Sequence, residues 1–379
     1  MYLQFLSVFS AMSLISSVSG TYLIQLSPNA NISSYLDDHP FIKSKLIRTY
    51  SFGGFRAIAA DFDEEFVNTL GVEPLVENIS PDIMLRANVV ETQTGAPRHL
   101  ARLCQRQALG TDDAYTYKYD SSAGDGIDAY VLDTGIYMAH PDFEGRAIQG
   151  ADYTGEGSGD SNGHGTHVAG LIGSKTYGVA KSIKLIEVKV LGATGGGSLS
   201  NVIAGLDYAA NSRLSSGRKG VANLSLGAMY NPILNSAITS AVQSGLAVVV
   251  AAGNDALPAC AFSPASSREA LTIGALDDAD DSIAPFSNWG HCVDLFTSGV
   301  HVQSLLNSGD GTIAYSGTSM ASPIAAGIVG YFMGLGDSPE EAVARVKVEA
   351  TRGAICWLQI LFRPFTPNKV GYNLEGNKF

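Results

Sequence analysis

Four apolar runs lack the alternation of a half-buried strand: IDAYVLD at 127 to 133, IKLIEVKV at 183 to 190, GVANLSL at 220 to 226 and LAVVVAA at 246 to 252. Strands that are apolar on both faces belong to a parallel sheet covered by helices on either side. Between the third and fourth runs, NPILNSAITSAVQSG carries Ile233, Ala237, Ile238 and Val242 at helical spacing. From about Val90 the chain is therefore expected to form an α/β domain on a doubly wound parallel sheet. In such sheets function gathers at the carboxyl ends of the strands, where Asp133 and the turn from Ala251 to Asn254 fall. The 42 glycines show neither a collagen period nor a low-complexity block, and imply many tight turns.

A smaller unit precedes this domain. TYLIQLS (21 to 27), FRAIAADF (55 to 62) and VEPLVENIS (72 to 80) read as strands, a polar stretch after the first holds a short helix, and Asp63 caps the helix EEFVNTL. The expectation is a compact α+β module of ferredoxin-like type over 21 to 88, with a core marginal on its own, ahead of an α/β domain over 89 to 379. Residues 1 to 20, MYLQFLSVFSAMSLISSVSG, are apolar, uncharged and end in small residues, as a secretory signal peptide does. A buried first helix is the competing reading. No later run is apolar for the ~18 residues that a membrane span needs, so the mature protein is expected to be secreted and not membrane-bound.

A net charge of -12 without any Lys/Arg-rich stripe argues against nucleic acid as a partner, because nothing would neutralise a row of phosphates. Four cysteines, Cys104, Cys260, Cys292 and Cys356, are even in number, and a secretory route would let them oxidise; number alone leaves their pairing open. Asn31 and Asn78 begin glycosylation sequons, as does Asn223, which lies within an expected buried strand.

Three segments carry chemistry: VLDTG at 131 to 135, NGHGTHVAG at 162 to 170 and SGTSMASP at 316 to 323. A serine hydroxyl is a poor nucleophile until a base takes its proton, and an imidazole suits that transfer. A carboxylate on the far side of the ring fixes the tautomer and stabilises the imidazolium. Ser319, His164 and Asp133 supply these three groups. Singly each has a plain structural reading, as a loop, a helix start and a turn. Ser319 also sits where a Gly-rich turn enters the apolar helix MASPIAAGIVGYFM, with its own N–H free at the helix start and Pro323 within the first turns.

Together the three segments resemble the subtilisin family, in particular its proteinase K branch, in which the triad runs in the chain order Asp, His, Ser. HPDFEGRA (140 to 147), YGVAK (177 to 181), EVKVL (187 to 191) and FSNWG (286 to 290) extend the likeness over nearly all of 91 to 354. The resemblance implies a serine endopeptidase that needs no cofactor for catalysis, with Asn254 joining Ser319 N–H in the oxyanion hole. It implies substrate-binding edges at Gly195, Gly196 and Gly197 and at Ser225, Leu226 and Gly227, with Ala252 and Gly253 walling an apolar primary pocket. Such a pocket favours hydrophobic or aromatic residues before the scissile bond. It also implies that 21 to 88 is an inhibitory propeptide removed by self-cleavage between Asn88 and Glu91. A disulfide between Cys260 and Cys292, a structural calcium on Asp294 and a monomeric enzyme acting on proteins and peptides complete the set. SPIAAG after Ser319 and FTSG at 296 to 299 depart from the family pattern, and CWLQILFRPF (356 to 365) has no counterpart in it. The alternative reading is a catalytically silent homologue that binds protein ligands through the same groove.

Overall fold

The computed structural model describes residues 19–71, 73–82, 90–110 and 115–374. The chain divides into two units, Met1–Ala87 and Asn88–Phe379. The expected signal peptide lies outside the described residues except for its last two, and so do Asn88 and Val89 of the expected self-cleavage segment.

In the first unit the elements run β1 (Ser19–Leu26), α1 (Ile32–Asp38), α2 (Pro40–Lys45), β2 (Leu46–Phe52), β3 (Phe55–Asp63), α3 (Glu64–Leu70) and β4 (Val76–Pro81). The antiparallel sheet has the order β2-β3-β1-β4, a split βαβ arrangement. Asn31 caps α1 by accepting from Ser34 N–H, and Asp63 caps α3 by accepting from Phe66 N–H at 2.8 Å. Ile24, Leu26, Ile58, Ala60 and Phe62 form one sheet face that packs on Tyr35, Leu36 and Ile42 of the helices. Strand β2, LIRTYSF, carries no clear apolar alternation and was not expected from the sequence; its residues are half-buried or exposed along its length.

The second unit opens with β5 (Val90–Thr94), α4 (Arg98–Leu103) and β6 (Thr116–Asp120), followed by β7 (Ile127–Asp133), β8 (Ala147–Asp152), α5 (His164–Gly173) and β9 (Lys184–Lys189). Next come α6 (Leu199–Ser216), β10 (Lys219–Leu224), β11 (Ala228–Met229), α7 (Pro232–Gln243), β12 (Ala247–Ala251), β13 (Phe262–Ser263), β14 (Leu271–Asp277) and β15 (Ser282–Ile283). The unit ends with β16 (Leu295–Ser298), β17 (Val302–Leu305), β18 (Thr312–Tyr315), α8 (Thr318–Gly334), α9 (Pro339–Glu349), β19 (Thr351–Arg352), α10 (Trp357–Leu361) and β20 (Lys369–Val370).

The large sheet runs β19-β20-β16-β14-β12-β10-β7-β9-β8 and is parallel from β8 to β20. Along β7, Ala129 and Val131 face the core beneath α5, α8 and α9, while Tyr130 and Leu132 face α6 and α7. Helices on both faces are why the sequence shows continuous apolar runs. The chain order reverses between β7 and β10, so the carboxyl ends of these two strands flank the crevice where such sheets bind ligands. Among the described residues no single helix is long and apolar enough to cross a membrane.

Cys260 and Cys292 form a disulfide. No bond joins Cys104 to Cys356: the first is buried, with Sγ 3.4 Å from the Lys118 carbonyl, and the second is exposed. The 356 to 365 segment forms α10 and docks through Gln359, whose Oε1 accepts from Ile283 N–H at 2.7 Å, leaving Trp357, Leu361, Phe362 and Phe365 in solvent. Asn31 and Asn78 are exposed, whereas Asn223 is buried in β10, where Nδ2 donates to Ser225 and Oδ1 accepts from Ser322.

Candidate active site

Asp133 is the last residue of β7 and is fully buried. Its Oδ1 accepts from Thr134 N–H at 2.7 Å and from His164 Nδ1 at 2.7 Å. A carboxylate can only accept, so Nδ1 carries the proton and Nε2 is left with its lone pair. Burial pushes the His164 imidazole down. The Asp133 charge and hydrogen bond, with Asp160 behind them, more than offset that, and its pKa lies above the ordinary histidine value.

His164 is the first residue of α5, after Gly163 at φ 104°. Close approach fixes the entry: a Cβ on Gly165 would lie 2.1 Å from the Gly135 carbonyl oxygen, so only glycine lets this helix start against the turn that follows Asp133.

Ser319 is the second residue of α8, so its N–H has no partner in the helix ladder. Its Oγ donates to the Ser225 carbonyl at 3.2 Å, and no hydrogen bond joins it to His164. Asn254, in the turn after β12, accepts from Thr318 N–H at 2.8 Å and Thr318 Oγ1 at 3.0 Å through Oδ1, which turns Nδ2 outward. The Cβ position of Gly317 lies 3.6 Å from both Asn254 Nδ2 and Ser319 N, so the two nitrogens flank one position, and both residues line one cavity.

Pro323 is the sixth residue of α8, within its first two turns as expected. Its missing N–H leaves the Ser319 carbonyl without its ladder donor, and Ser225 Oγ supplies the bond instead at 2.9 Å. Strand β10 stops at Leu224, two residues before the expected end, which frees Ser225, Leu226 and Gly227 from the sheet.

Two cavities of about 430 Å³ share Leu226, Gly227 and Ala228 as a wall. One holds Ser319, Asn254, Ala252 and Gly253, with Ala251, Phe262 and Ala265 among its apolar lining. The other holds His164, Ser225 and the glycines Gly195, Gly196 and Gly197. A Cβ on Gly197 would sit 2.2 Å from the Val190 carbonyl oxygen, so this edge stays bare.

Sequence reasoning missed several supporting polar groups. Asn288 is fully buried; its Oδ1 accepts from Asp255 and Leu257 N–H and its Nδ2 donates to the Ala252 carbonyl, bracing the loop that carries Asn254. It lies within FSNWG, noted only for its resemblance. Glu187 of β9 accepts from Ile136 and Gly159 N–H, and burial pushes its carboxyl up. Asp160, also missed, accepts five hydrogen bonds beside His164.

Both carboxylate oxygens of Asp294 have partners: Oδ1 pairs with the Lys347 ammonium at 2.9 Å and Oδ2 accepts from Thr272 N–H at 2.9 Å. A calcium ion, which takes about six to eight oxygens, would compete here with the cation from α9. Cys260, His291 and Cys292 cluster closely enough for metal ligation, but both sulfurs are spent in the disulfide.

The peptidase S8 family model, described as the subtilase family, matches residues 124–355. A subtilase-type proteinase of Saccharomyces cerevisiae is 41% identical over 88% of this chain and 77% of its own. Subtilisin-like protease 2 of Pseudogymnoascus destructans is 42% identical over 81% of this chain and 76% of its own. The crystal structure of a cold-adapted subtilisin-like serine proteinase is 37% identical, covers 74% of this chain and 99% of its own, and aligns with a TM-score of 0.67.

Proposed function

The chain belongs to the subtilase family and is a serine-type endopeptidase, and from that premise we propose that Asp133, His164 and Ser319 are its catalytic groups, with Asn254 completing the oxyanion hole. The observation that carries this assignment is the 2.7 Å bond from His164 Nδ1 to Asp133, with Asn254 Nδ2 and Ser319 N flanking one position beside Gly317. Rotation about χ1 turns Ser319 Oγ from the Ser225 carbonyl toward His164 Nε2, which accepts its proton as Oγ attacks the substrate carbonyl. The oxygen that becomes negative takes hydrogen bonds from the two convergent donors. Asp133 stabilises the imidazolium without taking its proton. His164 then protonates the leaving amine, and a water molecule, deprotonated by the same nitrogen, releases the acyl group from Ser319.

Peptide substrate adds in extended form along the bare edges at Gly195 to Gly197 and at Ser225 to Gly227, whose main-chain groups are not used by the sheet. The residue before the scissile bond enters the cavity lined by Leu226, Ala251, Ala252, Phe262 and Ala265. Apolar walls favour hydrophobic and aromatic side chains there. The protein works outside the cell as a monomer, directed by residues 1 to 20, and catalysis uses protein groups alone. It is made as a zymogen whose residues 21 to 88 restrain the enzyme until it cuts itself; the separate core of the first unit supports that division.

The test is to produce the full chain with Ser319→Ala and Asn254→Ala twins. The wild type is expected to shorten itself near 88 to 91 and to hydrolyse an apolar peptide, while Ser319→Ala stays full length and inert. Asn254→Ala is expected to lose about 10²- to 10³-fold in kcat with little change in KM, the size of the same loss in subtilisin itself, a member of this family. A folded wild type that cuts neither itself nor the peptide would overturn the assignment in favour of a protein-binding homologue.

A further inference from the structure

Helix α5 begins without a side-chain cap, because its N-cap residue is Gly163. Its first three N–H groups are met by residues from outside the helix: His164 N by Asn162 Oδ1 at 3.2 Å, Gly165 N by Thr134 Oγ1 at 2.9 Å and Thr166 N by Asp160 Oδ2 at 2.9 Å. Asp160 sits at the centre of this arrangement. Its Oδ1 accepts from Thr134 Oγ1, Asn162 N and Gly163 N at 2.9, 3.0 and 2.8 Å, and its Oδ2 also accepts from Thr166 Oγ1 at 2.6 Å. Thr134 follows Asp133 directly, and Asn162 and Gly163 precede His164 directly. One carboxylate therefore ties the turn behind one member of the triad to the start of the helix carrying the next.

We propose that Asp160 is a positioning residue of the triad, holding the His164 helix in register with the Asp133 turn so that the 2.7 Å Asp133–His164 bond is preformed. The donors around it number five, and a carboxylate is the side chain whose two oxygens can take them all. The negative charge adds a second effect. At the N-terminus of α5 it favours the helix dipole, and it lies close enough to His164 to favour the imidazolium. The other titratable group acting on His164 is Asp133 from β7; His167 on the same helix, its pKa pushed down to about 3 by burial, is neutral where His164 titrates.

This inference rests on His164 acting as the base, so the experiment measures wild type and Ser319→Ala first. Their difference settles that reading before any Asp160 variant is compared. Asp160→Asn keeps the shape but presents an amide N–H₂ to groups that themselves donate. Its expected result is a loss of about 10- to 100-fold in kcat with KM changed little, since a small misplacement of a base costs that much. The acid limb of kcat/KM is expected to move to lower pH, because the imidazolium loses a neighbouring charge. A merely structural role would lower thermal stability while leaving kcat and the acid limb of the surviving folded protein in place, and that outcome overturns the proposal. Should Asp160→Asn not fold, Thr134→Val and Thr134→Ser decide. The valine variant, lacking the hydroxyl that joins Asp160 to Gly165 N–H, is expected to lose kcat and the serine variant to keep it; equal kcat in both overturns the proposal.

Discussion

Replacing Ser225 with alanine removes a hydroxyl that serves two groups: it donates to the Ser319 carbonyl at 2.9 Å and accepts from Asn223 Nδ2 at 2.9 Å. The carbonyl depends on it because Pro323 has no N–H to offer. A buried polar group left without its partner costs about 1–3 kcal/mol, so the two together are expected to cost roughly 2–6 kcal/mol. At ~2 °C per kcal/mol for a unit of this size, the melting temperature should fall by roughly 4–12 °C. Pro323→Ala supplies a new N–H four residues after Ser319, aimed at the same carbonyl. In the double variant only Asn223 should remain unsatisfied, and the cost of Ser225→Ala should shrink by about 1–2 kcal/mol. The assay is a double-mutant cycle of urea midpoints in a Ser319→Ala background, which prevents self-digestion and leaves the Ser319 carbonyl intact. Additivity to within about 0.5 kcal/mol would refute the claim that Ser225 stands in for the missing proline donor.

Acid should weaken the fold through two buried neutral histidines, whose pKa burial pushes down to about 4 for His99 and about 3 for His167. Both lie below the ordinary histidine value, so the unfolded chain binds more protons from about pH 6.5 downward. Stability is complete above that pH and falls by roughly 4 kcal/mol between pH 7 and 5 for the pair, which His99→Gln should cut by about half; an unchanged slope of urea midpoint against pH would refute this. Because Asp294 is already paired with Lys347, a chelator such as EDTA should leave the melting temperature of the inactive chain unchanged. Lys347→Met, by contrast, should lower it and make added calcium stabilising; a chelator-sensitive wild type would count against this pairing.

The triad segments were legible because their chemistry is written locally: a carboxylate ending an apolar run, a histidine between glycines, a serine at a helix start. Strand β7 has the bounds its sequence suggests, Ile127–Asp133, since seven buried residues leave no other period to fit. Strand β10 was read two residues too long because Ser225 and Leu226 are compatible with a strand, and only the tie from Ser225 to Ser319 turns them out of it. Strand β2 was invisible because it packs too few apolar residues to show an alternating face. The ion pair of Asp294 was illegible for a related reason. Its counter-charge, Lys347, comes from a helix far along the chain, and no local pattern announces a long-range ion pair.

The polar ties that escaped sequence reasoning share one property that explains both their invisibility and their use. Glu187, Ser225 and Asn288 bond the backbone of segments distant from their own, and Asp160 bonds the distant Thr134 hydroxyl, so these side chains set where Asp133, His164, Asn254 and Ser319 lie. Apolar packing fixes the sheet and helices to the accuracy of a close-packed interior, but the loops at the carboxyl ends of β7, β10 and β12 are too short of apolar residues to be held that way. Hydrogen bonds are directional, so a few buried acceptors can hold such loops to within the few tenths of an ångström that proton transfer requires. It follows that apolar substitutions beneath the sheet should cost stability first and turnover second. Conservative changes at Asp160, Glu187 and Asn288 should do the reverse.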